Sequence, residues 1–260
     1  MRNIKLTIQY DGTNYSGWQI QPNAVTIQEV LQQTIAGITG ETPTVLCAGR
    51  TDSGVHAIAQ VSSFKTSSRL GPDILKKAMN ACLPEDVRVL DSCDEKADFN
   101  PRYKALGKRY IYLVSCAPIV SPFLSRYVWG LSQELDVKAM EQGLSMLKGS
   151  HDFSAFRGAG CGANTTVRTI TGIAIKKLDS LEFMTIPLKG EFIAISIEAD
   201  AFLRHMVRNI VGTVVEIGKR RLCVADMQRI LLSRDRINAG PTAPARGLFL
   251  ERIFYEDSEP

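Results

Sequence analysis

No apolar run in this chain approaches the ~18 residues of a membrane-spanning helix, and the opening MRNIKLTIQYD alternates apolar and polar residues at once, unlike the apolar middle of a signal peptide. The chain is therefore read as soluble and cytoplasmic, with no membrane partner. Histidine is scarce: His56, His151 and His205 form no HExxH or CxxC…HxxxH spacing, so no metal site is expected. The six cysteines include no CxxC pair and are read as free thiols of a reducing compartment. An excess of one charge sign is also lacking. Thirty-one Lys and Arg against 27 Asp and Glu leave +4 over 260 residues, which permits a polyanionic partner without demanding one. Short repeats and low-complexity tails are absent. Two glycine-rich stretches are not nucleotide loops. Residues 158–162 (GAGCG) lack GxGxxG spacing, and residues 212–219 space their glycines one residue too far apart for a phosphate loop, with Arg220 where Ser or Thr would bind magnesium.

What is present suits a globular chain with a sizeable core, since 45% of residues are hydrophobic and 22% charged. Ile4, Leu6, Ile8 and Tyr10 alternate with polar residues as a half-buried strand. A helix starts at Thr26, where Thr26 and Glu29 make a capping box; its stripe is Ile27, Val30, Leu31, Ile35 and Ile38, and Gly40 stops it. Strands are expected at 44–48, 59–64 and 87–90, with a helix opening at 71–73 between the last two. The order then recurs: a strand at 109–116, and a helix capped by Asp136 with Leu135 stapled to Met140. Strands follow at 169–175, 181–186 and 191–199, then helices at 202–217 and 226–232 and a last strand at 247–255. Such mixing of antiparallel-looking strands with helices indicates α+β. A polar stretch at 91–108 sets the expected boundary between domains 1–105 and 106–260.

Three constellations carry possible chemistry. The densest is residues 49–56 (GRTDSGVH), where glycines flank Arg50 and Asp52 after an apolar run. It reads either as a capped turn or as a carboxylate kept ionised for use as a nucleophile or base. The apolar segment 202–211 carries Arg204 and Arg208, four apart and so on one helical face, which implies anionic partners unless they lie on a solvated edge. His205 reads as a hydrogen-bonded core residue. Aromatic and basic residues interleave at Arg102-Tyr103-Lys104 and at 108–112, a pattern that suits stacked bases and phosphates or an ordinary strand. Lys219, Arg220, Arg221, Arg229, Arg234 and Arg236 add possible phosphate contacts, though singly each is only a solvated charge.

On these residues the chain resembles the bacterial tRNA pseudouridine synthase A family. The matching stretches run in order: YDGTNYSGWQ, TIQEVL, GRTDSGVHA, FNPRYKALGKRYIY, GSHDFSAF, FLRHMVRNIVG and APARGLFLERIFY. They span nearly the whole chain. One departure is Pro101 before Arg102, where the family usually has Ala.

The resemblance implies two similar α+β domains, each a mostly antiparallel split βαβ (ferredoxin-like) sheet with packed helices and a basic cleft between them. It implies isomerisation of uridine to pseudouridine in the anticodon stem-loop of tRNA, without a cofactor, by a homodimer. Asp52 matches the catalytic aspartate, Arg208 the arginine that pairs with it, and Tyr110 the tyrosine that stacks on the target base. Arg50 matches an arginine that helps extrude the nucleotide, and Leu248 an apolar residue of the pocket. The alternatives are a synthase for another RNA and a non-catalytic RNA-binding module, which would have no need of Asp52.

Overall fold

The computed structural model describes residues 1–256. Among these are ten strands and five α-helices, a mixed α+β chain. They fall into two compact units: Met1–Lys108 joined by the chain end from Phe249, and Arg109–Leu248.

The first unit begins with β1 (Arg2–Tyr10), α1 (Ile27–Thr39), β2 (Leu46–Cys47), β3 (His56–Thr66), α2 (Pro72–Cys82) and β4 (Val87–Glu95). β1 lies between β3 and β4, antiparallel to both, and β2 pairs antiparallel with β3. This is the β-α-β-β-α-β order of a split βαβ unit. The alternation read in β1 is the buried face: Ile4, Leu6 and Ile8 are fully buried, as are Ile27 and Leu31 of α1 and Met79 of α2. Each such side chain removed from water contributes about 1.5–3 kcal/mol. The Thr26 hydroxyl accepts from the Glu29 N–H at 3.4 Å, and Gly40 ends α1 at φ 70°. A bulge between Ile8 and Tyr10 shifts the β1–β3 register, so that Tyr10 faces Ala57.

The second unit contains β5 (Gly107–Ser115), β6 (Trp129–Gly130), α3 (Val137–Ser145), β7 (Gly149–Asp152), β8 (Val167–Phe183), β9 (Ile186–Ala199), α4 (Met206–Gly218) and α5 (Val224–Ser233). The order is β5-β9-β8-β7, with β6 parallel to the end of β5. Asp136 caps α3 by accepting from the Ala139 N–H at 3.1 Å, and Leu135 and Met140 are both buried. α3, α4 and α5 pack together, with Ile217, Val214 and Met227 over Gly143 and Met140 against Gly218.

The structure differs from the sequence reading at several places. The last strand, β10 (Leu248–Phe254), pairs Phe249 and Leu250 in parallel with His56 and Ala57 of β3. It therefore lies with the first unit, whereas the 1–105/106–260 division placed it in the second. Periodicity identifies a strand but not its neighbour. The strand expected at 181–186 straddles the β8–β9 hairpin, which turns at Met184 with φ 58°. β2 holds only two of the five residues expected at 44–48. Finally, α4 starts at Met206 and not at 202, because His205 is left-handed at φ 59°. That break removes Arg204 from the helix, so Arg204 and Arg208 do not share a helical face.

Candidate active site

In the first unit the glycine-flanked segment forms a tight turn between β2 and β3. The Asp52 carbonyl accepts from the Val55 N–H at 3.1 Å, and Gly54 adopts φ 75°. A left-handed residue at that place in a turn favours glycine. The turn is bound on three sides. Trp18 N–H donates to the Thr51 carbonyl at 3.0 Å, and the Gly54 N–H and the Ser53 hydroxyl both donate to the Tyr15 carbonyl at 3.2 Å. Gly17 permits this approach: a Cβ there would stand 2.7 Å from the Thr51 carbonyl oxygen.

Beneath the turn lies a buried polar set. The Gln60 amide holds Gly49 from both sides, accepting from its N–H at 3.3 Å and donating to its carbonyl at 2.6 Å. The same amide nitrogen donates to the Tyr10 hydroxyl at 3.4 Å, and that hydroxyl lies 2.8 Å from Thr51 Oγ1. Burial raises the Tyr10 phenol far above its ordinary range, so it stays protonated. The residues on either side of Asp52 are therefore fixed, while Asp52 itself is half-buried and Arg50 is exposed. Just after the turn, His56 is buried and stacks on Phe249 at 4.8 Å; its Nδ1 meets the Gly12 N–H at 3.1 Å and Asp11 Oδ1 at 3.0 Å. At the end of β2, ahead of the turn, burial pushes the Cys47 thiol up to about 12, while Arg50, Lys108 and Arg102 act on it in the opposite direction.

In the second unit Arg208 stands in the first turn of α4. Its Nε donates to the Ala243 carbonyl at 2.8 Å, and the Ala243 N–H returns a bond to the Arg208 carbonyl at 3.1 Å. The loop from 236 to 247 is thereby laid along the helix, and Gly212 allows it: a Cβ there would collide with the Pro241 carbonyl at 1.6 Å. Tyr110 on β5 is buried and meets Phe202 edge-on, with ring centres 5.0 Å apart. Leu248, at the start of β10, is buried. His205 is only half-buried, with its ring against Gly158.

Sequence reasoning passed over the residues that organise these segments. Tyr10, Gln60 and Gly17 appeared as strand or loop residues, although the YDG and SGWQ stretches already placed Tyr10 and Gly17 in a matching motif. Tyr112 is another. Its hydroxyl donates to the Pro244 carbonyl at 2.7 Å, Gly247 fits against its ring, and burial raises its pKa while Arg208 and Arg246 act to lower it. The i, i+2 spacing of Tyr110 and Tyr112 is the signal that could have joined them. Among the described residues no group of His, Cys, Asp or Glu is placed to hold a metal, and no helix is long and apolar enough to cross a membrane.

A family model described as tRNA pseudouridine synthase matches residues 6–104 and 144–256, which include the Asp52 turn and α4. The tRNA pseudouridine synthase A of Acetivibrio thermocellus is 42% identical over 255 residues, covering 98% of this chain and all of that protein. The protein of that name from Thermodesulfovibrio yellowstonii matches at the same identity and coverage. The one from Myxococcus xanthus is 42% identical over 260 residues, covering the whole chain and 94% of the relative. With its motifs in order along nearly its full length, the chain belongs to the tRNA pseudouridine synthase family.

Proposed function

We propose that this protein isomerises uridine to pseudouridine in the anticodon stem-loop of tRNA. The observation that carries the reading is the Asp52 turn. A half-buried carboxylate sits between residues pinned from below by Gln60 and Tyr10 and from the side by Trp18. A solvated surface turn needs no such support; a carboxylate that must meet a sugar carbon at a fixed distance does.

The reaction cleaves the bond from ribose C1′ to uracil N1, turns the base, and joins C1′ to C5. N1 gains a proton and C5 releases one, so composition is unchanged and no oxidant, reductant or group donor is consumed. Asp52 is assigned the bond-breaking role, by attack on the sugar or by promoting elimination. Arg208 is assigned as the cation that keeps it ionised and aimed. Tyr110 stacks on the extruded base, and the edge-on contact with Phe202 supports that ring. Arg50, exposed on the same turn as Asp52, contacts the backbone and helps draw the nucleotide out. Leu248 packs the pocket. The protein acts in the cytoplasm as a homodimer, with no metal or cofactor.

Incubating the pure, chelator-treated protein with unmodified tRNA and mapping pseudouridine tests the reading. Pseudouridine in the anticodon arm is expected. No pseudouridine, or pseudouridine only elsewhere, overturns it, and light scattering of the same sample tests the dimer.

A further inference from the structure

A cavity of about 390 Å³ opens in the second unit, between the glycine-rich turn after Phe156 and the turn that follows α5. Three arginines are among its lining residues: Arg157, Arg234 and Arg236. We propose that this cavity is a second RNA contact, holding a backbone phosphate of the tRNA. The inference rests on the tRNA reading above.

The charge balance comes first. Arg236 is half-buried, and its side chain donates to three neutral acceptors: the Ala239 carbonyl at 3.2 Å, Asn209 Oδ1 at 3.1 Å and Thr242 Oγ1 at 3.1 Å. A partly desolvated cation among neutral partners gains from an added anion. Arg157 is exposed at the rim and its side chain bonds to nothing among the described residues. Arg234 is engaged by Asp152 at 3.3 Å, an ion pair whose arginine is mostly exposed. The lining carries one carboxylate, Asp235, whose Oδ1 is occupied in capping the next turn through the Ile237 N–H at 3.0 Å. Three forked cations against Asp235 in the lining and Asp152 beside Arg234 leave one positive charge in excess, which suits a phosphodiester, since that group takes guanidinium forks well.

The rest of the lining decides what kind of anion. It is Ser, Gly, Ala and Cys, with no aromatic face to stack a base and no amide to read one. Such a site holds charge without regard to sequence, as contacts to a nucleic-acid backbone do. It is also tied to the helix turn of Arg208. Asn209, the next residue, receives Arg236, and the Gly158 N–H donates to the Arg204 carbonyl at 2.8 Å, while Arg204 returns a bond to the Ala159 carbonyl at 3.0 Å. The glycine-rich stretch that failed as a nucleotide loop thus serves as a wall that leaves room for a phosphate.

The test is tRNA binding by fluorescence titration across a salt series, for wild type, Arg157→Ala, Arg157→Glu, Arg157→Lys and the Arg157→Ala/Arg234→Ala double variant. Arg157 is chosen because removing an unbonded side chain leaves the fold intact, which thermal unfolding checks. Arg157→Ala is expected to weaken binding about three- to tenfold and to lower the slope of log Kd against log salt by about 1. Arg157→Glu and the double variant should lose more, and Arg157→Lys should recover most of the affinity. Wild-type binding and slope in both Arg157→Glu and the double variant would overturn the proposal. Pseudouridine formation by the wild type, measured on the same tRNA, separates the two readings. Turnover with variant binding unchanged removes the phosphate site alone, whereas no turnover with variant binding weakened removes the isomerase reading and keeps the site.

Discussion

The hydroxyls of Tyr10 and Thr51 lie 2.8 Å apart in the buried interior of the first unit, linking the end of β1 to the residue before Asp52. Tyr10 reaches that position because the bulge after Ile8 re-aims the strand end, and Gln60 extends the link to Gly49 on the far side of the turn. A strand, a turn and a buried amide thus act as one support.

Tyr10→Phe keeps the ring and removes the link. The loss of two buried hydrogen bonds, with Thr51 and Gln60, should cost about 1–3 kcal/mol of stability. Tyr10 is a positioning residue in this account, so kcat should fall several-fold while KM for tRNA changes little. A double-mutant cycle with Thr51→Val should show strong coupling in kcat; independent effects would mean that the hydroxyl pair does not aim the turn.

Gly17 makes a related prediction through the backbone. It sits at φ 89°, with the Thr51 carbonyl where a side chain would go. Gly17→Ala should cost about 1–3 kcal/mol in chemical denaturation. It should also depress turnover more than tRNA affinity, because the displaced atom belongs to the Asp52 turn.

Much of this architecture was legible in the sequence, and the failures share a cause. β1, α1 and the cap at Thr26 are local, each set by alternation, a 3.6-residue stripe or one side chain bonding three residues on. The Asp52 turn was legible because its glycines and charges all fall within residues 49–54. The partnership of β10 with β3 was not, since almost 200 residues separate Phe249 from His56 and no periodicity records which edge a strand joins. The break before α4 escaped for a different reason. His205 adopts a left-handed backbone without being glycine or asparagine, and the apolar stripe runs on through it. The cavity lined by Arg157 and Arg236 required two segments some 80 residues apart to be placed side by side.

Alkaline pH should destabilise the protein sharply. Burial raises the phenols of Tyr10, Tyr15, Tyr112 and Tyr255 above the ordinary value, with Asp86 adding to the effect at Tyr15. A raised folded-state pKa means that the native protein keeps protons the unfolded chain has released. The associated stability is therefore full below the unfolded value of about 10 and is lost as pH rises above it. Denaturation midpoints should be flat from neutral pH to about 9.5 on this ground and then fall steeply. Tyrosinate absorbance should appear together with loss of tertiary structure; ionisation of all seven tyrosines in the native state would contradict the buried assignments.

The sharpest prediction concerns the carboxylate of Asp52. Asp52→Asn preserves shape and removes charge and most nucleophilicity, so turnover should be abolished. Affinity for tRNA should stay near wild type, because it rests on cations and stacking elsewhere. The backbone bonds that pin the turn through the Asp52 and Thr51 carbonyls are open to the amide variant unchanged. Arg208 supplies the complementary variant. Arg208→Lys keeps the positive charge but loses the Nε–H that donates to the Ala243 carbonyl. If the guanidinium matters only as a charge, Lys should retain most activity. If it must also be held in a fixed plane to aim the aspartate, Lys should lose most of it with KM little changed. Single-turnover pseudouridine formation beside tRNA titration reads both variants. Substantial turnover in Asp52→Asn would remove Asp52 from the bond-breaking step, and a proportional loss of binding would assign it to the grip on RNA.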